Sequence, residues 1–441
     1  MKTLLILTVI IFLFSCQKEI QYRLMGTDII KDTTINYPNV WDGGDKVIDL
    51  NNWRIHGTGT FQNWDISASF NQPIFDTSIN LKNIKSANGI FSTAWYYVKS
   101  SNADNWWNIQ KSINVCITER LECYTPGRGT YKFSKPLEFS VKNKGIYQQS
   151  YINFSGDASY WDNGSGTTFQ YTGTKSPAFD VQLNKGSVFE NFVVKGLWQS
   201  PGGSDSAYFN LSEANFKDVS AYKLPDYYTG FAIDNNYDGR SISGSTGITI
   251  KNVSIGGFGM LLAFSQNGMT RNNDAHTIDN IHFYDGKYAI VNGQAQEKGT
   301  SINHIYSWGS IYNIINIGLH GAYGAGNYSF NVANIAGRCI EHINVSIAHW
   351  YSSSISNWIS ESTARVATIS GQMPFRISNS EFNLNTNLPK DRVVINSNTP
   401  FASFENCTIR YYDGQINNIY VHGSMTWLGT NYFGGGKLMY K

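Results

Sequence analysis

Phe189-Glu-Asn191-Phe192-Val-Val194, Ile250-Lys-Asn252-Val253-Ser-Ile255, Ile278-Asp-Asn280-Ile281-His-Phe283 and Phe404-Glu-Asn406-Cys407-Thr-Ile409 repeat one phrase: apolar, any, Asn, apolar, any, apolar. Looser copies begin at Phe216 (with Asp218), Ile302, Phe330, Ile355 and Ile377. The starts 189, 216, 250, 278, 302, 330, 355, 377 and 404 are separated by 27, 34, 28, 24, 28, 25, 22 and 27 residues, and a period in the twenties marks stacked repeats. Apolar residues two apart on either side of the Asn are the ends of half-buried strands. The Asn between them breaks the alternation, and Asn is the non-glycine residue that best tolerates a left-handed backbone. The phrase is therefore a corner.

A third apolar segment follows each corner: Gly230–Ile233, Gly259–Phe264, Tyr288–Val291, Asn313–Ile317, Cys339–Ile343, Arg365–Ile369, Arg392–Ile395 and Asn417–Val421. Three short strands per turn predict an all-β fold, a single-stranded right-handed parallel β-helix of about nine or more coils. A β-sandwich would need hairpin turns, whereas these corners sit at one fixed offset.

The chain has 441 residues, 41% hydrophobic and 15% charged, which excludes disorder. Lys+Arg 34 against Asp+Glu 32 gives no basic field for nucleic acid. Aromatics at 15% supply core packing and, where exposed, surfaces on which sugar rings stack.

The start reads as a secretory signal: Lys2, the apolar run Leu4–Phe14, then Ser15-Cys16. The run is too short to span a bilayer. Ser15-Cys16 resembles a bacterial lipoprotein cleavage box, and Gln17-Lys18-Glu19 resembles the charged tags of Bacteroidetes surface lipoproteins; the resemblance implies lipidation of Cys16 and an exported, outer-membrane-anchored protein at the cell surface. Residues 17–45 are expected as a tether, 46–100 as an N-terminal β cap, 101–410 as the β-helix and 411–441 as a closing segment. Leu50-Asn-Asn52-Trp53 and Phe61-Gln-Asn63-Trp64 fit the corner phrase but lie eleven residues apart, too close for full coils of the long repeat.

Trp95-Tyr96-Tyr97, then Asp104-Asn105-Trp-Trp-Asn-Ile109-Gln110-Lys-Ser-Ile113, then Gly129-Thr130-Tyr131 and Ser134-Lys135-Pro136-Leu137 follow in order. That order resembles the opening of the pectate lyase superfamily domain of secreted polysaccharide-active proteins and phage tailspikes, and it implies a plug helix near 104–116. Independently, Asp104 or Asn105 suits a helix cap, and Ile109 and Ile113 share a face. Cys339 and Cys407 read as core thiols, Cys116 and Cys123 as a pair open to a disulfide, and no Cys/His spacing resembles a zinc site.

The resemblance also implies a polysaccharide groove along the coils, and the long loops hold the candidate chemistry. A hydrolase needs two carboxylates, for which Asp234, Asp238, Asp274 and Glu297 are available. A lyase acting on a uronic acid needs a cation, Ca²⁺ or Arg/Lys, and a base; Arg240, Arg271, Lys298 and His320 serve there, with Tyr237 and Tyr323 as further sugar contacts. No other cofactor is expected. His282, His304 and His342 read as packing or corner residues. The expectation is a polysaccharide-processing surface protein, glycoside hydrolase or lyase, monomeric and touching the membrane only through its anchor. The rivals are a non-catalytic glycan-binding or adhesive lipoprotein and a trimeric tailspike-like receptor binder.

Overall fold

A computed structural model describes residues 21–25, 28–86, 88–143, 146–159, 166–235, 243–265, 272–293, 296–319, 326–347, 352–372 and 374–441. Strands hold 56% of the chain and helices 7%, and one large parallel sheet dominates, as an all-β parallel helix requires. The chain forms two compact units. The first takes residues up to 99 together with 107–126, the second 100–106 and 127–441.

In the second unit the strands fall on three parallel ladders. The first runs Phe154, Phe189, Ile250, Ile278, Ile302, Phe330, Ile355, Ile377, Phe404, Trp427, each residue paired with the next. The second runs Tyr131, Phe169, Val194, Ile255, Phe283, Ser307, Ile335, Ser360, Phe382, Ile409. The third runs Phe179, Phe231, Leu262, Ile290, Ile315, Ile343, Ala367, Ile395, Val421. Eight of the nine predicted phrase starts lie in register on the first ladder, and the predicted third segments lie on the third.

Between first and second ladders the chain turns through a left-handed residue. Asn191, Asn252, Asn280, His304, Val332, Asn357, Asn379 and Asn406 have φ of 63°, 51°, 50°, 50°, 55°, 58°, 49° and 51°. Asn252 Nδ2 donates to Asn191 Oδ1 at 3.0 Å and Asn280 Nδ2 to Asn252 Oδ1 at 2.7 Å, so side-chain amides chain one turn to the next. At His304 and Val332 the corner keeps its shape without the amide. Asn331 substitutes from the neighbouring position, its Oδ1 accepting from Asn357 Nδ2 at 2.8 Å.

The copy at Phe216 does not form a coil. Phe189 pairs directly with Ile250, and Asp218, the supposed corner, accepts from the backbone N–H of Gln199 at 2.9 Å, Ser220 at 3.1 Å and Leu224 at 2.8 Å instead. Residues 196–228 are a strap inserted between second-ladder and third-ladder strands. A coil absent from the expectation stands upstream, carried by Phe154, Phe169 and Phe179. Its interior is aromatic: Phe139, Phe154, Phe169, Phe179, Phe189 and Phe192 are fully buried, with Phe139 and Phe154 meeting edge to face at 5.1 Å.

The first unit repeats the device with a shorter turn. Trp41, Phe61 and Leu81 pair in register at steps of 20, with left-handed Asn63 and Asn83 joined through Asn83 Nδ2 and Asn63 Oδ1 at 2.6 Å. Asn52 turns the chain after Leu50 onto a different ladder, where Trp53 pairs Lys31. The eleven-residue spacing is therefore about half of a short turn, so the two phrases do not stack on each other. Strands also occupy Gln21–Met25, Asp28–Ile35 and Val40–Asp49, within or beginning in the stretch expected as a tether. The expected helix spans Trp106–Glu119, with Asp104 Oδ1 accepting from Trp106 N at 2.9 Å and Ile109 and Ile113 fully buried.

Val332 is a β-branched residue in a left-handed corner, a conformation costing about 1–3 kcal/mol. Its side chain is 36% exposed, so little packing is lost on replacement. Val332→Asn should raise the denaturant midpoint by the equivalent of about 1 kcal/mol; an unchanged or lower midpoint contradicts the strained-corner reading.

Candidate functional site

Of the sequence-predicted site residues, Asp234 is fully buried at a left-handed position. Its Oδ1 accepts from Leu183 N at 2.9 Å and Ser245 Oγ at 3.0 Å, and its Oδ2 from Ser245 N at 2.5 Å. A carboxylate so enclosed ties strands together and does not meet a polymer. Asp274 ends a short strand, half-buried, and pairs through its backbone with Lys298, as Asn273 does with Glu297. The backbone thus brings Asp274, Glu297 and Lys298 onto adjacent strands. The side chains of Glu297 and Lys298, and all of Cys16, Tyr237, Asp238, Arg240, Arg271, His320 and Tyr323, lie outside the described residues.

The histidines behave as packing and corner groups. His342 is wholly interior, beside Trp358 and Phe382, and burial pushes its pKa down to about 3. His276 stacks on Phe264, accepts from Ile248 N at 3.1 Å and is likewise pushed down to about 3 by burial. His282 packs against Tyr306, ring centres 4.7 Å apart and tilted by 39°, and His304 faces Asp279 at 2.7 Å. Among the described residues, no group of three His, Cys, Asp or Glu is placed to hold a metal ion.

Among the described residues a cluster of convergent polar side chains lies instead on the third ladder, beside the strap. The strap carries a short helix, Asp205–Phe209, capped by Ser204, and a 3-10 turn, Glu213–Asn215, capped by Ser212. Tyr208, Phe209 and Phe216 bury themselves against Met260, Ala263, Tyr288, Val291, Tyr312, Ile340, Ala364 and Leu388, residues drawn from successive coils. Arg338 fastens it, with Nη1 donating to Gly203 O at 3.0 Å and its guanidinium 4.4 Å over the Tyr208 ring. The Tyr208 hydroxyl sits 2.8 Å from Ile311 O and 2.9 Å from Arg338 O.

Register aligns Met260, Tyr288, Asn313, Glu341 and Arg365 in one column and Ala263, Val291, Asn316, Asn344, Thr368, Asn396 and His422 in another. Both columns begin apolar under the strap and become polar further along. Glu341, 2% exposed, accepts from Asn313 Nδ2 at 3.0 Å, Thr368 Oγ1 at 2.6 Å and Arg365 Nη1 at 3.3 Å. Arg365 itself is 41% exposed. Arg392 donates from Nη1 to Phe209 O at 2.8 Å, and its pKa is lowered by burial and by the Arg365 charge. The two guanidiniums thus share one neighbourhood, Arg365 turned to Glu341 and Arg392 to the strap. The Tyr288 hydroxyl is bonded to the Glu213 carboxylate, and Tyr312 is pushed up to about 12 by burial, with Glu341 and Glu213 adding to the rise. Both phenols therefore stay protonated, and Tyr288 donates to Glu213.

Tyr288, Asn313, Glu341, Arg365 and Arg392 stand in segments that sequence reading assigned to the third strand. Alignment of those segments in register would have shown one polar position among apolar neighbours.

No protein-family model matches the sequence, and no curated protein matches it. One solved structure resembling the chain is titled Geobacillus virus E2, ORF18, with a TM-score of 0.33 and 10% identity over 79% of this chain. The match covers 60% of that protein's length.

Removing Glu341 strands an amide, a hydroxyl and a guanidinium. Glu341→Ala should cost about 2–4 kcal/mol of unfolding free energy. Asp279→Ala, which deletes the exposed partner of His304, should cost under about 0.5 kcal/mol. Chemical unfolding of both variants checks this, and equal losses contradict it.

Proposed function

We propose that this protein handles an acidic polysaccharide along the third ladder, as an exported β-helix protein of the pectin-lyase-like, right-handed type anchored through Cys16. What supports this reading is the convergence of Arg365 and Arg392 with Glu341, Tyr312 and the Tyr288–Glu213 pair beside the strap. An acidic sugar presents one carboxylate per residue, which a pair of guanidiniums neutralises in the way an elimination at a uronate demands. Glu213, half-buried on the strap and accepting from Tyr288, supplies a base, while Tyr288 and Tyr312 stay covered by the strap and position it. The column Asn344, Thr368, Asn396, His422 offers one hydrogen-bonding side chain per coil to a chain lying along the stack, with His422 bonded to Asn396 at 3.0 Å. In this reading the protein is a lyase acting as a monomer.

A second reading, a non-catalytic glycan binder, is favoured by the burial of Glu341 beneath its partners and by the exposed Tyr222 and Tyr227 of the strap. A panel of uronate-rich and neutral polysaccharides separates the two. Retention of the acidic polymers with release of unsaturated uronate products supports the lyase; retention without products supports the binder. Arg365→Ala and Arg392→Ala should each weaken retention about tenfold to a hundredfold, since a charge-assisted contact contributes roughly 1.5–3 kcal/mol. Retention of neutral polymers with equal strength, or indifference to both substitutions, contradicts the proposal.

A further inference from the structure

The helix Trp106–Glu119 ends in a tight reversal that returns the chain as the strand Glu122–Tyr124. Arg120 is left-handed at φ 57°, and Leu121 N donates to Cys116 O at 3.0 Å, closing the helix end. The strand then pairs with Ile90–Ser92, Cys123 opposite Phe91. This reversal sets Cys116, in the last turn of the helix, close to Cys123 in the returning strand, both free thiols and wholly buried. The other two described cysteines are occupied elsewhere: Cys339 Sγ meets Glu341 O at 3.1 Å, and Cys407 Sγ meets Glu405 O at 3.4 Å. Neither competes for the pair.

We propose that Cys116 and Cys123 close a disulfide as the chain folds, stapling the end of this helix to the strand that follows it. The oxidant is a disulfide donor, either a thiol–disulfide oxidoreductase or oxidised glutathione. One cysteine thiolate attacks a donor sulfur, breaking the donor S–S bond and releasing one donor thiol. The second thiolate then attacks the protein sulfur of the mixed disulfide, forming the Cys116–Cys123 bond and releasing the second donor thiol. Two electrons pass to the donor, and the two cysteine protons end on the donor thiols.

Timing follows from burial. Once the helix has docked, burial holds the Cys116 thiol well above its ordinary pKa, and a buried thiol is inert to an outside donor. The exchange therefore belongs to a partly folded chain in which the helix end is still open. Two buried cysteines that merely fill space would be equally apolar in a folded protein but would stay reduced through refolding.

The test uses the purified protein and does not depend on where the chain resides or on what it binds. The reduced, unfolded protein is refolded with a mixture of reduced and oxidised glutathione, remaining thiols are alkylated, and the product is digested with trypsin. Cleavage after Arg120 separates the peptide 112–120, holding Cys116, from the peptide 121–128, holding Cys123. The proposal expects these two as one linked species that reductant splits, and a denaturant midpoint for the oxidised protein above that of the reduced. In Cys116→Ala the oxidised and reduced forms should unfold alike. Peptides recovered apart with both cysteines alkylated, or Cys116 linked to Cys339 or Cys407, would overturn it.

Discussion

Everything in the second unit depends on a bend taken through a left-handed residue between two strands. An L-residue with a side chain enters that conformation at a cost of about 1–2 kcal/mol, and Asn enters it most readily after glycine. Its amide returns part of that cost by donating to the amide one turn away, as Asn252 does to Asn191 and Asn280 to Asn252. The corner thus fixes register as well as direction. A slip by one residue would turn Phe189, Ile250 and Ile278 out of the interior together, so the repeat is specified by burial and by the amide chain at once.

Because the corners hold register so tightly, irregular chain is admitted only between strands, and the strap is the main case. Its thirty-odd residues leave Phe189 and Ile250 adjacent on the first ladder. Its aromatic side chains seal the apolar part of the third-ladder face, where Met260, Ala263 and Val291 would otherwise meet water. The same face, further along, has Glu341, Asn344, Arg365 and Thr368 in the equivalent columns. A covered apolar patch beside a polar strip built on rigid strands is an arrangement suited to recognition, since side chains on strands are held more firmly than side chains on loops.

The fold was legible because the phrase carries its own physics. Alternating apolar positions give strands, Asn gives the bend, and eight of the nine predicted starts stand in register. Phe216-Lys-Asp218 misled because Asp, like Asn, reads as a bend residue, and because an interval of 61 divides plausibly into two coils. Nothing local distinguishes that copy; only the pairing of Phe189 with Ile250 does. The site was less legible. Loop composition drew attention to Asp234, whose oxygens are consumed by Leu183 and Ser245. Glu341 and Arg365 sat unnoticed inside apolar segments, since a lone polar residue in a strand acquires meaning only when the ladder places another beside it.

The parallel stacking can be measured directly. Glu190, Lys251, Asp279, Asn303, Asn331, Ser356, Ser378 and Glu405 occupy successive rungs of the first ladder. Spin labels at 190 and 356 are five rungs apart and at 190 and 405 seven. At about 4.8 Å per rung the backbone separations are about 24 and 34 Å, rising linearly with rung number. Pulsed dipolar spectroscopy on the two doubly labelled proteins should return that increment of about 10 Å, within the reach of the label arms. Equal distances, or a shorter one for the pair 190 and 405, would mean that the strands do not climb one rung per repeat.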